Sequence, residues 1–197
     1  VIGVGHSLGS VATMYAAVQR PELFRALVLI EPVFLPPQIL QMAAANPEAV
    51  AEQPFVQRAL NRRNRWESRQ AAFDRFRNKS VFARWSDDAL WDYVNNGTHE
   101  ENGEFVLTYP REWEGRVYAM PPLSVWERIP QVTQPTLAIR ATETDTLFPD
   151  PWQLWQELQP AATFVELEDL GHMLPMERPL LIAQTIQNWL IKERLKN

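Results

Sequence analysis

The stretch Val1-Ile2-Gly3-Val4-Gly5-His6-Ser7-Leu8-Gly9-Ser10 opens the sequence and carries three of its seven glycines. Val1 to Gly5 is a short apolar run that reads as a strand. Leu8, Val11, Ala12, Tyr15 and Ala16 then recur at helical spacing until Arg20-Pro21 stops them. At the junction stands Gly5-His6-Ser7-Leu8-Gly9, a G-x-S-x-G pattern between strand and helix. The two glycines allow a sharp, strained turn that lifts the serine hydroxyl above a sheet edge. The same turn leaves the Leu8 amide, at a helix N-terminus, aimed at a developing oxyanion. Small-residue turns also bind phosphates or merely pack tightly, so a nucleophilic Ser7 needs partners elsewhere in the chain.

Working outward, Arg25-Ala26-Leu27-Val28-Leu29-Ile30 is a continuous β-prone run ended by Glu31-Pro32. Strand, helix and strand with short joints predict a right-handed parallel unit, and uniformly apolar strands predict cover on both faces. After Pro130 the pattern returns. Thr136 to Ile139 reads as a strand, Asp150-Pro151 opens a helix through Leu158, and Thr163 to Leu167 is another strand. A last helix starts at Pro179, with Ile182, Ile186, Trp189 and Leu190 as its buried stripe. Between these blocks, residues 36–128 hold five of the eight tryptophans and read as short helices, with a weak strand over Glu104 to Thr108. The organisation is therefore α/β core over 1–35, a helical insertion over 36–128, and core again over 129–197.

Composition narrows the chemistry. The 197 residues contain no cysteine, which removes disulfides, thiolate metal sites and a cysteine nucleophile. The three histidines, His6, His99 and His172, are far apart, which argues against a histidine-rich zinc site. A net charge of −5 disfavours nucleic acid as the partner. No apolar run approaches the ~18 residues that span a bilayer. No basic start followed by an apolar stretch is visible, so the expected location is cytoplasmic.

Two loops supply partners for Ser7. The strand at Thr136 is followed by Ala141-Thr142-Glu143-Thr144-Asp145, and the strand at Thr163 by Glu168-Asp169-Leu170-Gly171-His172. Loops at strand C-termini share one edge of an open α/β sheet, so a serine, an acid and a histidine distant in sequence converge there. Serine attacks, histidine takes its proton, and a carboxylate fixes the imidazole tautomer and stabilises its charged form. Singly, His172 reads equally as a structural histidine and Asp145 as a turn residue. His6 precedes the nucleophile, but elbow geometry turns neighbouring side chains away from the serine, so it reads as packing. His99 reads as a solvated loop residue.

The stretch V-I-G-V-G-H-S-L-G-S, the loop A-T-E-T-D and the segment L-G-H-M-L-P-M-E-R-P together resemble the α/β-hydrolase superfamily, and more narrowly its cap-bearing esterase and lipase-like members. The resemblance implies Ser7 as nucleophile, His172 as general base, Asp145 as acid and residues 36–128 as a cap. It also implies strands five to eight of a mostly parallel sheet, with the earlier strands and the second oxyanion amide lying upstream of Val1. On that reading the chain by itself is expected to be poorly active or unstable. Some members place the acid after the sixth strand, where Glu31 stands; Asp150 and Asp169 rank behind it. No cofactor or metal is implied, and the partner is a small ester or acyl substrate. The same three residues also suit carbon–carbon bond hydrolysis or cofactor-free haloperoxidase chemistry, and a hydrolase-like binding module is the non-catalytic alternative.

Residues 58–84 hold nine Lys and Arg against Glu67 and Asp74, net +7, which leaves −12 for the remainder of the −5 total. Contact with an anionic membrane surface or an acidic substrate is one reading. A solvated helix face whose arginines pair with an acidic core is the preferred one, and oligomeric state is not legible.

Overall fold

A computed structural model describes residues 1–194. In chain order its elements are β1 (Ile2–His6), α1 (Leu8–Gln19), β2 (Ala26–Ile30), α2 (Pro37–Ala45), α3 (Pro47–Ala51), α4 (Pro54–Leu60), β3 (Arg65–Trp66), α5 (Arg69–Arg77) and α6 (Asp87–Gly97). Next come β4 (Thr98–Glu101), β5 (Glu104–Leu107), α7 (Arg111–Tyr118), α8 (Val125–Arg128), β6 (Thr136–Ala141), α9 (Pro149–Leu158), β7 (Thr163–Leu167), α10 (Leu174–Glu177) and α11 (Pro179–Lys192). They form two compact units: Val1–Gln41 with the described residues from Pro122 onward, and Met42–Pro121.

The first unit is built on a four-stranded parallel sheet in the order β1-β2-β6-β7. Every residue of β2 and β6 is buried, as expected of central parallel strands, whereas β1 and β7 are only partly covered. The side chains of β2 alternate between two cores. Leu27 and Leu29 pack with Val11 and Met14 of α1 and Trp152 and Trp155 of α9. Ala26, Val28 and Ile30 pack with Leu137 and Ile139 of β6 and with Ile182 and Trp189 of α11. Each large side chain so buried contributes roughly 1.5–3 kcal/mol. Leu40 and Val125 belong to the first of these cores, and the Trp126 indole N–H donates to Leu35 O at 2.9 Å. All four strands point the same way, so the loops after them emerge at one edge.

The second unit is not wholly helical: the weak strand read over Glu104 to Thr108 is present as β5, and β3 and β4, which the reading of the insertion lacked, pair with it. The unit contains an antiparallel sheet in the order β3-β5-β4. The cause is local: β4 and β5 are joined by Asn102-Gly103, with φ of 53° and 81°, and pair Glu101 with Glu104. Two residues that tolerate positive φ make the tight hairpin whose twist suits paired strands. Trp66, Phe76, Phe82, Trp85 and Tyr93 form a chain of ring contacts in this unit, and Phe73 stacks on Trp91 at 4.3 Å. The basic stretch meets acids of its own unit: Arg62 pairs with Glu114, Arg65 with Glu101 and Glu104, and Arg77 with Asp87. Among the described residues no helix is long and apolar enough to cross a membrane.

Candidate active site

Ser7 sits between β1 and α1 at φ 55°, ψ −124°, a backbone conformation that costs a non-glycine residue about 1–3 kcal/mol and persists only when its surroundings enforce it. Three features enforce it. The Ser7 N–H donates to Ile30 O at 2.9 Å, tying the turn to the end of β2. A Cβ on Gly5 would lie 2.4 Å from the Gly9 carbonyl oxygen, so the strand and the helix start approach as only glycine permits. Ser10, fully buried, donates to Gly5 O at 2.7 Å and accepts from the Ile30 N–H at 3.0 Å. Gly9 has no such duty, since nothing lies within 4 Å of an added Cβ. Leu8 begins α1, so its N–H has no carbonyl within the helix and points out of the helix N-terminus.

His172 lies in the loop between β7 and α10. Its Nε2 is 2.9 Å from Ser7 Oγ, and its Nδ1 is 3.2 Å from Glu31 Oε2. Glu31 follows β2 directly, at φ 47°, and its side chain is completely buried. A buried carboxylate is tolerable only when its oxygens are satisfied. Here Oε1 accepts the Ala141 N–H at 2.7 Å, and Oε2 accepts the Thr144 hydroxyl at 2.5 Å as well as facing His172. Thr144 Oγ1 in turn accepts from the Thr146 and Leu147 amides at 3.0 and 3.3 Å. Arg140, buried at the end of β6, donates to Leu147 O at 2.8 Å and pairs with Glu166, fixing both ends of that loop.

The expectation that Asp145 is the carboxylate on the histidine is therefore corrected. Asp145 is exposed and accepts from the Thr146 hydroxyl at 3.2 Å; the preceding residue, Thr144, turns toward the site instead. The structure brings together Ser7, His172 and Glu31, the last being the alternative acid in sequence. Asp150 is exposed in the first turn of α9, and Asp169, at φ 57°, donates its N–H to Thr142 Oγ1 at 3.1 Å. His99 is exposed on β4 rather than in a loop. His6 ends β1, with its Nε2 2.8 Å from the His172 carbonyl oxygen, and burial lowers its pKa. Among the described residues no three His, Asp or Glu side chains group in a way that would hold a metal ion.

Sequence reasoning missed Ser10, Thr144 and the contact of His6 with the His172 backbone. Ser10 left a faint signal as a polar residue in the buried stripe of α1. Thr144 left none, because only the fold shows which face of its loop meets Glu31.

A hydrogen-bonded relay of serine, imidazole and buried carboxylate, with a helix N-terminus beside the serine, can generate an oxygen nucleophile and stabilise the charge that follows its attack. A family model described as "Alpha/beta hydrolase family" matches residues 1–185. The abhydrolase domain-containing protein ACTT2 of Alternaria alternata is 24% identical over 230 residues, covering 98% of this chain and 84% of its own length. In fold, the chain is similar to E-2-(acetamidomethylene)succinate hydrolase, with a TM-score of 0.74, 19% identity, and coverage of 96% of this chain and 66% of that one. It is also similar to the esterase Rv0045c from Mycobacterium tuberculosis, with a TM-score of 0.69, 18% identity, and coverage of 95% and 59%. The chain thus spans about three-fifths to two-thirds of those two structures.

Proposed function

The chain belongs to the alpha/beta hydrolase family, and from that premise we propose that it is a serine hydrolase acting on an ester or related acyl bond through an acyl-Ser7 intermediate. The observation that carries this reading is the continuous relay Ser7 Oγ–His172 Nε2, His172 Nδ1–Glu31 Oε2, at 2.9 and 3.2 Å. With Nδ1–H donated to Glu31, Nε2 holds the lone pair that accepts the Ser7 proton as Oγ attacks the acyl carbon. The Leu8 N–H is one donor to the oxyanion that forms, and losing one such donor typically costs about 10²–10³ in turnover. His172 then returns the proton to the departing alcohol oxygen as the carbon–oxygen bond breaks, leaving the acyl group on Ser7. Water next attacks the acyl carbon, gives its proton to Nε2, and the acid leaves as Ser7 recovers its hydrogen. Glu31 faces the imidazolium in both half-reactions and is itself held by Ala141 and Thr144.

The test is labelling of the full-length protein by a fluorophosphonate probe. The protein is expected to be labelled at Ser7, and Ser7→Ala to abolish labelling while leaving the melting temperature in place. Labelling that persists in Ser7→Ala, or a folded wild-type protein that is never labelled, would overturn the proposal. A panel of p-nitrophenyl esters of rising chain length then defines the acyl group accepted.

A further inference from the structure

We propose that His6 is a positioning residue for this reaction: its Nε2–H anchors the backbone of His172 and so sets the reach of the imidazole toward Ser7. The inference rests on the serine-hydrolase reading above and adds a residue to it.

A carbonyl oxygen only accepts, so the 2.8 Å contact between His6 Nε2 and His172 O requires the proton on Nε2. The bond links residues 166 positions apart, joining the residue immediately before the nucleophile to the backbone of the residue that takes its proton. The side chain of His172 is held at Nδ1 by Glu31 and meets Ser7 at Nε2. His6 supplies the matching hold on the main chain. The surrounding loop is tied elsewhere: Leu170 O accepts from the Glu143 N–H at 2.9 Å, and the Gly171 N–H donates to Glu177 at 3.1 Å. Those bonds fix the two residues before His172, while the His6 bond acts on His172 itself.

The His6 and His172 rings lie 5.0 Å apart at 35°, and burial of His6 favours its neutral form. A neutral neighbour matters, because His172 becomes an imidazolium in each half-reaction. The serine-to-imidazole distance of 2.9 Å tolerates little drift, and a misplacement of about 1 Å can cost a hundredfold in rate.

His6→Phe keeps the ring and removes the donor, whereas His6→Gln places an amide N–H near the same reach. In the full-length protein carrying either change, we expect His6→Phe to lower kcat for a p-nitrophenyl ester by about 10- to 100-fold with KM within a few-fold of wild type. His6→Gln is expected to recover most of that loss. Ring ¹⁵N shifts of the wild-type protein, tractable with three histidines, are expected to show His6 as the neutral Nε2–H tautomer. Wild-type turnover in folded His6→Phe, equal losses in both variants, or an Nδ1–H tautomer would overturn the inference while leaving the hydrolase reading intact. Should His6→Phe not fold, His6→Gln turnover and the tautomer decide: a poor glutamine variant or the wrong tautomer overturns it. Wild-type protein that neither turns over nor labels at Ser7 would overturn both.

Discussion

Replacing Glu31 by glutamine tests the relay at the point where it departs from the expected Asp145. The side chain is fully buried, so its shape must be kept and only its hydrogen-bonding sense changed. Oε1 accepts a backbone N–H from Ala141, which cannot rotate away, so the glutamine carbonyl must take that place. The amide nitrogen then falls at the Oε2 position, facing the Thr144 hydroxyl and His172 Nδ1. A nitrogen that donates there favours His172 with its proton on Nε2, pointing at Ser7 Oγ, where a lone pair is needed. By analogy with the same exchange in serine proteases, the wrong tautomer costs about 10³–10⁴ in kcat. That is roughly 4–5.5 kcal/mol of transition-state stabilisation. Asp145→Asn alters an exposed group bonded to Thr146 and is expected to leave kcat within about twofold, in line with the small effects of surface changes. Initial rates on a p-nitrophenyl ester, with melting curves to confirm folding, read both variants side by side. A folded Glu31→Gln protein with more than a tenth of wild-type turnover, beside an Asp145→Asn protein reduced a hundredfold, would refute the reasoning.

Three further outcomes are expected. Gly5→Ala should cost about 3 kcal/mol or more, because its Cβ meets backbone at 2.4 Å, while Gly9→Ala, facing open space, should gain about 0.5–1 kcal/mol of helix stability; thermal melts separate them. Thr144→Val removes one donor from the buried Glu31 and is expected to lower kcat about tenfold, equivalent to ~1.4 kcal/mol, with Thr144→Ser restoring most of it in the ester assay. The third concerns acid. Burial holds the His6 pKa below its ordinary 6.5, so the unfolded chain binds this proton more tightly than the folded protein. The His6 contribution to stability is therefore complete above about pH 6.5 and is lost as pH falls toward the lowered folded value. Denaturant melts from pH 7.5 to 5 should show a shallower decline in His6→Gln than in wild type; an equal slope would show that this titration does not matter.

Much of the first unit was legible because its signals are local. An unbroken apolar run such as Ala26–Ile30 leaves little choice but a strand covered on both faces, and G-x-S-x-G after such a run leaves little choice but a tight turn. The signal for the hairpin of β4 and β5 is equally local, yet the reading of the insertion took only the weak strand over Glu104 to Thr108 and passed over Asn102-Gly103, which carries the turn chemistry. What was not legible is which acid joins Ser7 and His172 across the chain. Glu31 and His172 are 141 positions apart, and nothing near either residue in sequence states their distance. A usable sign was that Glu31 ends a strand with no polar residue in it, where an acid must be buried against donors or not be there.

On the proposed relay, the position of Glu31 gives the loop after β6 a part that its aspartate does not share. β2 lies between β1 and β6, so a residue at its end is already beside the nucleophile turn. Glu31 keeps the ladder with β6 through its own N–H, which donates to Ile139 O at 2.8 Å, and then turns at positive φ. Its carboxylate thereby reaches across the end of β6, where the Ala141 amide and the Thr144 hydroxyl wait. Four adjacent strand ends thus each supply one part of the hydrogen-bonded arrangement: Ser7 from β1, Glu31 from β2, the donors that hold its carboxylate from β6, and His172 from β7. An acid at position 145 would have to be held by other groups, and the loop's inward donors are already committed to Glu31. The loop serves as a cradle, so its sensitivity to substitution should lie at Thr144 rather than at Asp145.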